Sequence, residues 1–78
     1  MILKSFGKKI RELRKKQGIS QEAFANKIGM DRTYYSSIEN GKHNLSLLSI
    51  KKISDGLGID LKNLFENLKW GVIWVKKN

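Results

Sequence analysis

The sequence predicts an all-α fold, a compact domain of five short helices followed by a short extended or β C-terminal arm. Apolar residues recur at intervals of three and four in five successive segments, and typical helix-starting and helix-ending residues separate these segments. The 78 residues contain no proline and are 40% hydrophobic, which is typical of one small globular core. We place the domain in residues 1–68 and the arm in residues 69–78.

The first two helices are predicted from their apolar faces and their end residues. We expect Ser5 to cap the start of the first helix and Gly18 to end it. Ser20 then opens the second helix, because a serine hydroxyl can accept a hydrogen bond from a free amide of the first turn. The inward positions are Leu3, Phe6, Ile10 and Leu13 in the first helix, and Phe24, Ala25 and Ile28 in the second.

The third helix follows the second after a very short connection. Gly29 ends the second helix after about two turns, and Asp31 is placed to cap a third helix over residues 32–40. Tyr35 and Ile38 point inward, and Gly41 stops the helix. Two short helices joined by a tight, glycine-containing turn are the sequence form of a helix-turn-helix.

Two further helices and a different tail complete the chain. Asn44 or Ser46 caps the fourth helix, Asp60 caps the fifth, and Gly56 inside the fourth indicates close packing or an early frayed end. The inward positions of the fourth helix are Leu47, Ile50, Ile53 and Leu57, and the fifth helix carries Leu61, Leu64, Phe65 and Leu68 at helical spacing. Apart from Gly71, residues 70–75 are β-branched or aromatic, so they predict a strand or arm that needs a partner edge.

Composition narrows the classes of function. The chain has no cysteine and one histidine, which predicts no disulfide, no zinc site and a cytoplasmic setting. We expect no cofactor, no small-molecule ligand and no membrane span, since the longest apolar run is only residues 72–75. A phosphate-binding loop or a catalytic set is not found, so we expect no enzyme. The net charge of +9 favours a polyanionic partner.

Residues 10–65 carry a series of motifs in a fixed order. They are Ile10-Arg11-x-Leu13-Arg14, Gly18-Ile19-Ser20-Gln21-Glu22-x-Phe24-Ala25, Ile28-Gly29, Ile38-Glu39-Asn40-Gly41-Lys42 and Leu57-Gly58-Ile59-Asp60-x-x-x-Leu64-Phe65. With these motifs the sequence resembles the Cro/CI-type, lambda-repressor-like helix-turn-helix family. Residues 31–39 and 44–46 are most similar to the controller proteins of restriction-modification systems, although Tyr35, Gly41 and His43 depart from the residues often found there. The resemblance also implies a structural pair between Glu39 and Arg14.

The first turn of the third helix has the chemistry to read base edges in a major groove. Arg32 offers a bidentate fork for guanine, and Thr33 can donate a hydrogen bond or place its methyl group on thymine. Tyr34 and Ser37 are the next candidates. Asp31 is expected to act first as a cap, and Tyr35 to belong to the core.

A second set of residues is expected to contact the DNA backbone. Gln21 opens the second helix, where the helix dipole favours a phosphate, and the resemblance implies that it also steadies the third helix. The other predicted backbone contacts are Ser36, Lys42, His43, Asn44 and Ser46. Most of the N-terminal lysines are interpreted as a long-range electrostatic contribution.

These expectations combine into a function. We expect a transcription regulator that binds double-stranded DNA as a homodimer on a pseudo-palindromic operator, with Leu48, Leu61, Phe65 and Leu68 at the dimer interface. The alternative is an antitoxin-like or other interaction module whose arm, with two tryptophans, binds a different protein. A basic, membrane-surface first helix is a weaker alternative, because its apolar stripe is needed for the core.

Overall fold

Five helices lie in the part of the chain that the computed structural model describes, residues 2–66 and Leu68. They are α1 (Ile2–Lys16), α2 (Gln21–Lys27), α3 (Arg32–Glu39), α4 (Leu47–Leu57) and α5 (Leu61–Phe65). The predicted all-α, five-helix fold is therefore confirmed. The expected arm, residues 69–78, lies outside the described residues. No helix of the described residues is both long and apolar enough to cross a membrane.

The core draws one or two apolar side chains from each helix. Its members are Phe6, Ile10, Phe24, Ala25, Tyr35, Ile38, Ile53, Leu57, Leu64 and Leu68. Both α1 and α2 pack against α3, so α3 lies between them with one face in the core. The opposite face of α3 remains at the surface.

Three of the helix starts are fixed by side-chain caps. The hydroxyl of Ser20 accepts from the Ala23 amide at 3.1 Å, and the carboxylate of Asp31 accepts from the Tyr34 amide at 3.0 Å. Ser46 accepts from the backbone amide of Ser49 at 3.0 Å, so Ser46 rather than Asn44 caps α4. Asp60 does occupy the position before α5, but its side chain makes no capping hydrogen bond.

Two sequence predictions are wrong. Ser5 does not cap α1, because the helix already begins at Ile2, whose apolar side chain packs against the core. Leu47 does not point inward but is 80% exposed. The buried position in the first turn of α4 is Ser49, which precedes Ile53 by one helical turn and therefore lies on the same face.

Glycines allow the turn between α2 and α3 and the approach of α4 to α2. Gly29 has a φ of +67°, which favours glycine, and the next amide, that of Met30, donates to the Ala25 carbonyl at 2.9 Å. At Gly56 a Cβ would collide with Ile28 and would lie 3.0 Å from the Phe24 ring. The expected close packing at Gly56 is confirmed.

Candidate nucleic-acid interface

The surface face of α3 and the first residue of α2 form a shallow, open groove of about 350 Å³. Its lining is polar or basic throughout: Gln21, Arg32, Thr33, Ser36, Ser37, Asn40 and Lys42. Six of these seven residues are predicted DNA contacts, three of them to bases and three to the backbone. The fold thus brings together, on one face, residues that lie up to 21 positions apart in the sequence.

Arg32 and Thr33 are the most accessible of the predicted base readers. Both are exposed on the first turn of α3. The Arg32 guanidinium lies 3.9 Å from the Glu22 carboxylate, but the Arg32 side chain is 63% exposed. An exposed ion pair at this distance is weak, so the guanidinium is free to turn towards a guanine edge.

Tyr34 and Ser37 are engaged within the chain. The Ser37 hydroxyl donates to the Tyr34 carbonyl at 2.7 Å, so that it can offer a ligand only an acceptor. The half-buried Tyr34 places its hydroxyl 3.3 Å from that of Ser49 on α4, and its ring centroid lies 5.8 Å from that of His43. Tyr34 therefore links α3 to the loop and helix that follow.

The residues after α3 lie partly in the groove and partly beyond it. Lys42 lines the groove, whereas His43, Asn44 and Ser46 are exposed further along the chain. Asn40 lines the groove as well, although it was not among the residues predicted for the site. Its signal was available, because Asn40 follows Ser36 and Ser37 by four and three residues and so shares their helical face.

Beneath the groove, the buried carboxylate of Glu39 holds α1, α2 and α3 together. Arg14 donates to both of its oxygens, Nε to Oε2 at 2.7 Å and Nη2 to Oε1 at 3.0 Å, which confirms the predicted pair. The Tyr35 hydroxyl donates to Oε2 at 2.5 Å, and the Gln21 amide donates to Oε1 at 2.8 Å. Gln21 thus joins the start of α2 to the end of α3. We call this set the Glu39 junction.

The Glu39 junction fixes its own charge states. Burial alone would raise the pKa of Glu39, but hydrogen bonds from Arg14, Tyr35 and Gln21 outweigh it and lower that pKa. The hydrogen bond to Glu39 raises the pKa of Arg14. Burial, followed by the bond to Glu39, raises the pKa of Tyr35. At neutral pH the junction therefore contains an ionised pair and a neutral phenol.

The four predicted dimer residues differ in accessibility. Leu48 and Leu61 are exposed, whereas Phe65 stacks on Phe6 of its own chain with ring centroids 5.6 Å apart. Leu68 is buried in the core. Of the four, Leu48 and Leu61 are the two whose apolar side chains are exposed.

Comparison with known sequences identifies relatives over most of the chain. Residues 10–64 match the family described as Helix-turn-helix. Control protein C.MunI of Mycoplasma sp is 58% identical over 65 residues, which are 82% of this chain and 88% of that protein. Control protein C.BamHI of Bacillus amyloliquefaciens is 45% identical over 62 residues, 78% of this chain and 76% of that protein.

Solved structures of controller proteins superpose well on the fold. The restriction-modification controller protein C.AhdI from Aeromonas hydrophila gives a TM-score of 0.78 at 43% identity, covering 81% of this chain and 96% of that one. The C.Esp1396I tetramer in complex with its natural 35 base-pair operator gives 0.78 at 35% identity, covering 85% and 87%. The chain therefore belongs to the Cro/CI-type helix-turn-helix family, and restriction-modification controller proteins are among its relatives.

Proposed function

We propose that this protein is a sequence-specific DNA-binding transcription regulator, the controller protein of a restriction-modification system. It binds a pseudo-palindromic operator as a homodimer and inserts α3 into the major groove. Arg32 and Thr33 read base edges, while Gln21, Ser36 and Lys42 hold the backbone. The role is regulatory rather than enzymatic, and the setting is the cytoplasm.

The observation that carries this proposal is the groove along α3. It gathers an arginine, a lysine and five uncharged polar side chains without an acidic residue in its lining. Hydrogen-bond donors and acceptors on one short helix match the base edges that a major groove displays. The Glu39 junction fixes α3 from its buried face, so the hydrogen-bond donors of the groove are already in position in the unbound protein.

The relatives support the same function. C.Esp1396I has been solved as a tetramer on its operator, and C.MunI and C.BamHI are named as control proteins. An antitoxin-like module is not favoured by these relatives. The segment on which that alternative rests, residues 70–75, lies outside the described residues.

A dimer explains how so small a domain reaches useful specificity. One recognition helix reads only a few base pairs, whereas two helices about 34 Å apart read two half-sites one helical turn apart. Exposed Leu48 at the start of α4 and exposed Leu61 at the start of α5 supply apolar surface for the second copy. We assign the dimer contact to this surface.

Selection of duplexes from a random pool tests the proposal. We expect enrichment of an inverted repeat with half-site centres about 10 base pairs apart, bound by two chains or a multiple of two. A variant with Arg32→Ala and Thr33→Ala should not enrich this repeat, whereas the control Lys27→Gln, on the far end of α2, should. Failure of the unmodified protein to enrich any motif would contradict the proposal.

A further inference from the structure

We propose that one face of α1 is a second DNA-binding surface, which contacts the phosphate backbone beside the groove of α3. We call this face the α1 basic stripe, formed by Lys4, Lys8, Arg11 and Lys15. The inference rests on the proposed function. It goes beyond it because these charges act through direct contacts rather than at long range.

The four residues share one exposed side of the helix. They follow one another at intervals of four, three and four, which is the spacing of neighbours on a helical surface. All four are exposed, while Phe6 and Ile10 on the opposite side of α1 are buried. At 1.5 Å per residue the stripe is about 16 Å long, a length close to five base-pair steps of a duplex.

Contacts at two points place the stripe next to the groove. The backbone of Lys4 packs so closely on Gly41 that a Cβ added at Gly41 would lie 2.8 Å from the Lys4 Cα. Gly41 directly precedes Lys42 of the groove. Further along, Nε of Arg11 lies 3.4 Å from Oε1 of Glu39, the same oxygen that accepts from Gln21. The first and the third member of the stripe thus contact Gly41 and Glu39, which directly adjoin groove residues.

The charge balance leaves the stripe positive. One carboxylate, that of Glu39, faces two guanidiniums, and Arg14 already donates to both of its oxygens. Arg11 is therefore in excess, and its side chain is 44% exposed. Glu12, the single acidic residue of α1, borders the stripe, because it lines one cavity with Glu66 and with Lys4, Lys8 and Lys9. Three ammonium groups thus outnumber two carboxylates there. A row of cations with this spacing fits a polyanion with regularly spaced charges.

A direct phosphate contact and a general charge effect can be separated, because only the direct contact makes the loss of DNA affinity depend on which lysines are removed. Each phosphate contact that is lost reduces the slope of log K against log salt by about 0.9. A general charge effect depends on net charge, so removing any three lysines would produce the same change. Variants matched in net charge separate the two.

The stripe variant carries Lys4→Gln, Lys8→Gln and Lys15→Gln. The matched control carries Lys16→Gln, Lys27→Gln and Lys62→Gln, which remove the same charge from positions outside the stripe. Binding of both to the selected duplex, extended by random flanks, is measured by fluorescence anisotropy between about 50 and 300 mM salt. Circular dichroism confirms that each variant is folded.

We expect the stripe variant to lose about tenfold or more in affinity and about 2.7 in salt slope, with the control close to the unmodified protein. Arg11→Gln alone should reduce the slope by about 0.9. Equal losses in the stripe variant and the control, or no loss in either, would overturn the proposal. So would a stripe effect confined to vesicles of phosphatidylserine, which would assign this surface to membranes.

Failure of the proposed function gives a different result. In that case the unmodified protein itself does not distinguish the selected duplex from random DNA, and both proposals fall before any variant is compared. When the unmodified protein does bind the selected duplex, the outcome of the stripe experiment concerns the second surface alone.

Discussion

The two faces of α3 have different tasks. On the inward face Tyr35, Ile38 and Glu39 are buried, and the polar groups of that face are satisfied within the chain. On the outward face the side chains of Arg32 and Thr33 are exposed, and few contacts within the chain restrain them. The helix therefore separates two roles. Its inward face fixes the position of α3 in the fold, and its outward face presents the side chains that we propose read the DNA. Changes on the inward face should therefore reduce stability, and changes on the outward face should reduce binding.

The largest effect is expected from breaking the Glu39 junction. Glu39→Gln leaves the buried guanidinium of Arg14 without a counter-charge, so we expect a loss of about 3–5 kcal/mol in the free energy of unfolding. Urea unfolding measures this loss. The control Glu22→Gln, an exposed acid on α2, should stay within about 0.5 kcal/mol. A mild effect of Glu39→Gln would show that the junction does not position α3.

Acid should break the same junction without a substitution. Because the pKa of Glu39 is lower in the folded chain than its ordinary value of 4.5, its ionisation stabilises the fold at pH values above that value. The contribution is lost as the pH falls from there through the folded pKa. Unfolding free energies measured between about pH 3 and 6 should fall more steeply for the unmodified protein than for Glu39→Gln. Parallel curves would contradict this assignment.

Gly7→Ala tests how closely α1 approaches the inward face of α3. A Cβ at this position would lie 2.5 Å from the Ile38 carbonyl oxygen, so α1 would have to move. Alanine ordinarily favours a helix over glycine by about 1 kcal/mol, but we expect a net loss of about 2 kcal/mol here. Thermal unfolding with Lys8→Ala as an exposed control measures it. A stabilised Gly7→Ala protein would refute the close approach.

On the outward face, Arg32→Ala should affect binding and leave stability almost unchanged. We expect a loss of about 1–3 kcal/mol on the selected duplex and a relaxed preference at one base pair. Unfolding should shift by less than about 0.5 kcal/mol. Titrations of selected and random duplexes provide the comparison. An equal loss on both would mean that Arg32 is not a base reader.

Lys42→Gln should have the smallest and least selective effect. A backbone contact carries no sequence information, so binding should weaken alike on selected and random duplexes. The salt slope should become shallower by about 0.9. Salt titrations on both duplexes test this, and Lys27→Gln is the control for a lost charge alone. A change in sequence preference would move Lys42 to the base-reading set.

Much of the fold followed from local rules. Helical spacing of apolar residues predicted all five helices, and Ser20 and Asp31 act as the predicted caps. The error in α4 arose because a polar residue is buried there and an apolar residue is exposed. Ser49 is buried because Tyr34 and Ser46 satisfy its hydroxyl, and a pattern built on apolar residues places Leu47 inward instead.

The residues of the candidate site were predictable from the sequence, but the contacts that hold them in place were not. The residue types along α3 indicated the outward face, and the fold gathers six of the ten predicted DNA contacts into one groove. The hydrogen bonds to Glu39 from Tyr35 and Gln21 were not predicted. Tyr35, four residues before Glu39 on the same helix, was expected only to fill the core, and Gln21 reaches Glu39 through the packing of α2 on α3. The hydroxyl contact of Tyr34 with Ser49 likewise depends on the approach of α4 to α3.

Amide chemical-shift mapping tests the central claim most directly. The isotope-labelled protein is titrated with the duplex obtained by selection, and the shift change of each backbone amide is followed. We predict the largest changes at Arg32, Thr33, Ser36 and Asn40, with Gln21 and Lys42 at the margins, and small changes on α5. Largest changes on α5, with the outward face of α3 unaffected, would contradict the account.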